Sequence, residues 1–261
     1  MKLLKLYLKG FSIDLSREMI YKGNFLVKAL AFVLTDFISP IFALLVYAAT
    51  PGIPGWSFYE FILFQGTLVI VLGLGHLFVL VLPFDTIEAI DRGEFDKFLV
   101  KPFPPLLYLL SQSVLVEGVI EFFAGVVITG FAFFHLGINL LSLKFLVFAG
   151  LIFLGVLFQF AVMILVSALA FLVVKSEALM NLYFKLSDFA RYPLTVYPFG
   201  LKLFLIFLFP VAVCSFFPAE ILLRGVDLKL LFLAVVPVLA FFGVSVFFWN
   251  LAMRKYASAG G

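Results

Sequence analysis

The chain has 261 residues, of which 65% are hydrophobic and 13% charged, with a net charge of +3 and a mean hydropathy of +1.23. A soluble domain carries about 25% charged residues, so this composition excludes a soluble globular protein and points to an integral membrane protein. The small net charge gives no case for a nucleic-acid partner, and the single cysteine, Cys214, excludes an intrachain disulfide and a multi-cysteine metal site.

Residues 1–23 fit an amphipathic helix. Leu4, Tyr7, Leu8, Phe11, Leu15 and Met19 recur at three- and four-residue steps, with Lys2, Lys5 and Lys9 elsewhere on the surface. Such a basic segment beside a span lies in the headgroup layer against anionic lipid. It is not a secretory signal, because charges interrupt its apolar residues.

Span 1 is expected at about Phe25–Tyr47, long enough for a hydrocarbon core of ~30 Å. It carries Asp36 near its middle, followed by Pro40. A proline- and glycine-rich loop, Ala48–Ser57, places Trp56 near the interface. Span 2 follows at about Phe58–Leu82, where Gly66, Gly73 and Gly75 allow close helix approach, within the subunit or at a dimer interface.

The segment Phe84–Pro105 (FDTIEAIDRGEFDKFLVKPFPP) is the one densely charged stretch between strongly apolar ones. It must sit in water, and Ile87, Ile90, Phe95, Phe98 and Leu99 give it the apolar stripe of a short helix. Ile87, Ile90, Phe95 and Phe98 are the expected contacts with a soluble partner, with Asp91, Arg92 and Glu94 at the rim.

Span 3 is expected at about Leu106–Phe134, with Glu117 and Glu121 four apart on one face. Span 4 covers about Leu143–Val174, and a last span covers about Leu230–Ala252. Basic residues favour one side of this arrangement: the loop after span 1 has no Lys or Arg, and the turn into span 4 has only Lys144. The asymmetry predicts cytoplasmic termini and a cytoplasmic charged island.

Three stretches resemble the ABC-2 type permease family, the membrane subunits of bacterial ATP-binding-cassette exporters. They are Gly93–Leu107 with its Gly-Glu-Phe and Lys-Pro elements, Ala190–Pro198 followed by Pro210 and Pro218, and the tail Trp249–Gly261 with Arg254, Tyr256, Ser258, Ala259 and Gly260. The resemblance implies an all-α polytopic protein with six transmembrane helices of the ABC-2, or type V exporter, arrangement. The whole of residues 1–261 would form one permease domain in the cytoplasmic (inner) membrane. Residues 1–23 would be its connecting helix, and 84–105 would hold the coupling helix that docks on an ATPase.

The resemblance also implies a re-entrant helical hairpin on the outer face before the last span. Hydropathy alone puts span 5 at Phe199–Phe217; the resemblance instead places span 5 at about Ser176–Val196 and the re-entrant segment at 199–223. Lys185 and Asp188, three apart, would then be intramembrane and paired. No GxxxxGK[ST] sequence occurs in the chain, so it is not expected to be an enzyme. ATP and Mg would be bound by a separate ATPase subunit, present in two copies beside a second permease subunit, identical or homologous.

An ionisable group in hydrocarbon costs ~2.5–3.5 kcal/mol on insertion scales, so each one needs a reason. Asp36, Glu117, Glu121, Lys185 and Asp188 are the candidate translocation pathway. The acids could attract cationic amphipathic cargo, or be structural, pairing with Lys28 or Lys185. His76 and His135 are single and carry no HExxH spacing, so no metal site is expected. Ser111, Ser113 and Ser167 lack a nucleophile-elbow context. The expected function is export of a hydrophobic or amphipathic substrate, a cationic drug-like molecule or a lipid. The alternative is a proton-coupled secondary transporter using the same carboxylates.

Overall fold

The computed structural model describes residues 2–172 and 177–256, and among them there is no strand. The expected boundaries at Val174 and Ser176, and Ser258, Ala259 and Gly260 of the tail, lie outside the described residues. Five helical stretches are long and apolar enough to cross a membrane.

Helix α1, Lys2–Ile20, is the expected amphipathic helix. Helix α2, Lys22–Ala49, follows with Pro40 inside it. Helix α3, Phe58–Phe78, starts at a reciprocal cap in which Glu60 N–H donates to Ser57 Oγ at 3.4 Å and Ser57 N–H donates to Glu60 Oε2 at 2.7 Å. α3 is buried over most of its length and forms the centre of the bundle, together with α8, Leu143–Ala170.

The charged island is less separate from the bundle than its sequence suggests. After a short break at Val79–Val81, α4, Leu82–Asp91, carries the second span straight into it. α4 ends at Gly93, which adopts φ +65°. Gly93 N–H bonds to the Ile90 carbonyl at 3.0 Å and Glu94 N–H to the Ala89 carbonyl at 2.8 Å, the paired closure of a glycine C-cap. The expected single short helix is therefore two, α4 and the one-turn α5, Asp96–Leu99.

Span 3 is also broken. α6, Pro105–Leu110, ends at Ser111, and α7 runs Glu117–Leu136. In the break, Ser113 Oγ lies 3.0 Å from the Leu109 carbonyl and 2.7 Å from Asp85 Oδ2, and Leu115 N–H reaches the Leu77 carbonyl at 3.2 Å. The Leu109 carbonyl keeps its helical bond from Ser113 N–H at 3.0 Å, and the neighbouring helix satisfies the Leu115 N–H that the interruption frees.

The close-packed pair is α3 against α7, running antiparallel. Gly66 lies opposite Thr129, Gly73 opposite Phe122, Gly125 opposite Ile70, and Gly118 opposite Leu77. Gly75 meets Gln159 of α8. These glycines of the second span therefore serve packing within the subunit, not a dimer interface.

In place of a continuous span at 176–196, the described residues give α9, Glu177–Ser187, and two 3-10 turns at Asp188–Arg191 and Leu194–Val196. Extended backbone at Tyr192, ahead of Pro193, breaks the helix. The segment expected to be re-entrant forms α10, Phe199–Leu203, extended by a π turn to Leu208, then a buried turn at Val211–Cys214, then α11, Phe216–Arg224. The last helix, α12, is Leu228–Lys255.

Candidate functional site

At the end of the bundle that holds the charged island, α1 lies across the break between α6 and α7. A methyl group on Gly10 would sit 2.3 Å from the Ser111 carbonyl oxygen, so the helix rests directly on the broken backbone. Tyr7 Oη donates to the Phe78 carbonyl at 3.2 Å, and burial pushes its phenol up to about 12, so it remains a donor. Asp14 Oδ2 accepts from Val116 N–H at 3.4 Å at the start of α7, and burial raises this carboxyl from its ordinary value. Between α1 and the island lies a cleft of about 520 Å³, lined by both acids and bases, among them Arg17, Asp85 and Arg92.

The apolar stripe of the island, Leu99 apart, faces the bundle. Phe95 is 0% exposed, with its ring centroid 4.9 Å from Phe171, 5.1 Å from Tyr256 and 5.7 Å from Phe98. Phe98 and Ile90 are half-buried against the same core, and Ile87 is half-buried. Phe95 is thus a joint between the island, the end of α8 and the end of α12, and not a docking side chain. What the island shows to solvent is Asp91, Arg92, Glu94, Leu99 and Val100, the last 81% exposed. Arg92 pairs with Glu88 at 2.7 Å. Lys97 pairs with Glu94 at 2.9 Å, and that hydrogen bond lowers the Glu94 carboxyl.

Within the bundle the ionisable groups are sorted into pairs. Glu117, 1% exposed, has Lys28 Nζ at 3.2 Å, and the same ammonium lies 2.8 Å from Glu18. Lys28 meets Glu117 by charge and distance, without hydrogen-bond alignment. Glu121 lies 2.5 Å from His76 Nδ1. Asp188 pairs with Arg191 at 3.0 Å and so not with Lys185, which is exposed. Asp36 is 5% exposed and its Oδ2 has no hydrogen-bond partner.

From the sequence, Lys28 and Lys185 are both open as partners of the buried acids, and His76 reads as single; the structure pairs Lys28 with Glu117 and His76 with Glu121. The signal for His76 was the seven-residue glycine spacing on α3 and on α7, which brings those helices together antiparallel. Two other polar links tie the bundle: Gln65 Nε2 donates to the Arg191 carbonyl at 2.7 Å, and Tyr183 Oη donates to Gln159 Oε1. Gln112 is exposed at the cleft. Among the described residues no three His, Cys, Asp or Glu side chains gather as a metal site.

At the opposite end, Arg224 of α11 clamps the loop before α3. Its guanidinium lies 4.9 Å from the Trp56 ring centroid, bonds the Gly55 carbonyl at 2.5 Å, and pairs with Glu220 at 3.2 Å and Glu60 at 3.8 Å. Arg224→Gln is expected to cost ~1–2 kcal/mol, the size of a partly screened ion pair plus a cation–π contact. A thermal melt of the purified variant reads this as a drop of a few degrees, and an unchanged melt would deny the clamp any weight.

A family model described as an ABC-2 family transporter protein matches residues 31–260. No curated protein matches the chain.

Proposed function

The chain belongs to the ABC-2 transporter family, and from that premise we propose that it is the permease subunit of an ATP-driven exporter. The observation that carries this reading is the joint at Phe95. A solvent-facing island continues from the second span and is held through the buried Phe95 to the ends of two long apolar helices, with Ile90 and Phe98 against the same core, so a push on the island is a push on the bundle.

In this reading the island and both termini are cytoplasmic, in agreement with the basic-residue asymmetry. An ATPase partner, in two copies with ATP and Mg, docks on the island and on the α1 cleft beside it. α9 with its 3-10 turns supplies a sixth crossing, and residues 199–223 form a re-entrant hairpin on the outer face. Irregular backbone at membrane depth is tolerated where protein covers it, and Val211–Cys214 are buried. A second permease subunit, identical or homologous, completes the pathway against the exposed apolar faces of α2 and α12. The cargo is a hydrophobic or amphipathic molecule moved outward across the inner membrane.

Docking falls to the exposed residues of the island. Leu99→Asp combined with Val100→Asp is expected to abolish capture of an ATPase from cells that express this chain with its genomic neighbours, while leaving the melting temperature of the permease unchanged. Capture by the double variant at the level of the unaltered chain would overturn the docking assignment. Failure of the unaltered chain to capture any ATPase, with transport following the proton gradient instead, would overturn the exporter reading itself.

A further inference from the structure

We propose that Asp36 is the counter-ion of a binding site for lipophilic cations, whose apolar portion occupies the cavity further along the same face of α2. It rests on the permease reading only for the fate of the bound cation. Three observations converge on this position.

The first is that Asp36 is left over. Glu117, Glu121 and Asp188 each have a cation or an imidazole within 3.2 Å, whereas the Asp36 carboxylate keeps a buried oxygen with no hydrogen bond. Two charged groups act on it across the helix interface, Glu121 and Arg191. Glu121 is engaged by His76 and Arg191 by Asp188. A buried carboxylate without a partner gains more from an arriving cation than one already paired.

The second lies one turn on. Pro40 has no N–H, so it cannot donate to the Asp36 carbonyl four residues back. Backbone and side-chain acceptors are therefore both short of donors at one level of α2. An ammonium group suits that combination, and an anion is repelled by it.

The third is a place for the rest of the molecule. Asp36, Pro40, Ala43 and Tyr47 follow one another at steps of four, three and four, so they share one face of α2. Ala43 and Tyr47 line a cavity of about 160 Å³ together with the buried Phe61 and the exposed Tyr192 and Val196. Seven residues of helix separate Asp36 from Ala43, or ~10 Å at 1.5 Å per residue. The fitting ligand is an elongated amphipathic cation with its charge about that far from its apolar end. Phe42 lines the cavity and is also exposed on the outside of α2, so in the single chain the cavity opens onto that face.

The test measures equilibrium binding to the full chain in nanodiscs of zwitterionic lipid. The probe is 4-phenylbutylammonium, which carries N–H donors, with phenylbutyl sulfonate as the same scaffold carrying the opposite charge. The expected result is saturable binding of the ammonium and none of the sulfonate. Asp36→Asn should weaken the ammonium at least tenfold without lowering the melting temperature, and Ala43→Phe, which fills the cavity, should do the same. Equal binding of both probes, or unaltered ammonium affinity in either variant, would overturn the proposal. If Asp36→Asn does not fold, the probe contrast and Ala43→Phe decide the matter. ATPase capture that survives a negative result would leave the permease reading standing and sink this site alone.

Discussion

Phe95→Asp is expected to remove the folded protein from the membrane rather than to produce an intact but uncoupled permease. The ring is fully buried, in edge or tilted contact with Phe171, Tyr256 and Phe98, and Phe171 in turn packs on Trp249 at 5.6 Å. Truncating a buried Phe costs ~3–5 kcal/mol, and an unpaired buried carboxylate adds several more. That sum rivals the ~5–15 kcal/mol that holds a domain together. Phe95→Leu keeps most of the apolar volume and should melt a few degrees lower while still capturing its ATPase. The check is size-exclusion elution and melting of the three proteins side by side. A monodisperse Phe95→Asp protein with the melting temperature of the unaltered chain would show the ring to be dispensable, and the relay from island to bundle would lose its joint.

The long apolar helices were legible because hydropathy is a property of the run itself: α2 and α12 extend only two or three residues past each end of the stretches expected at Phe25–Tyr47 and Leu230–Ala252. The break at Ser111–Val116 was not, since its polar part, Ser111-Gln112-Ser113, is short and the apolar runs on either side mask it over the length of a span. The Ser111 and Ser113 hydroxyls bond back to Tyr108 and Leu109 as hydroxyls in unbroken helices do; what marks the break is Ser113 reaching Asp85 and Leu115 N–H reaching the Leu77 carbonyl, contacts that only the fold brings together. The island's apolar stripe was legible as a stripe, but periodicity says that a face exists and not what covers it. Here two stretches read as separate likenesses meet in space, for Phe95 of the Gly-Glu-Phe element packs on Tyr256 of the tail. The partners of the acids divide the same way. Lys28 was one of several open choices for Glu117, and His76 against Glu121 required the register of α3 on α7.

That register makes Gly118→Leu the other change with a large expected effect. A Cβ at Gly118 would lie 2.4 Å from the Leu77 nitrogen, 2.7 Å from the Gly73 carbonyl oxygen and 2.8 Å from the Leu77 α-carbon. These are backbone atoms of α3, so no rotamer change can relieve the contact. Over-packing against mobile side chains costs ~1–3 kcal/mol, and here the whole of α7 must move away instead. Moving it also stretches the bond from Leu115 N–H to the Leu77 carbonyl, now 3.2 Å, and pulls Glu121 from His76. The variant should fail to yield folded protein, and Gly118→Ala should fold with a clearly lowered melt. Gly130 lies on the same helix with nothing within 4 Å of an added Cβ, so Gly130→Leu should behave as the unaltered chain does. If Gly118→Leu and Gly130→Leu melted alike, α3 and α7 would have to be further apart in the membrane than the glycine contacts place them. The pairing of His76 with Glu121 would fall with that register, leaving two unpaired acids beside α2 instead of one.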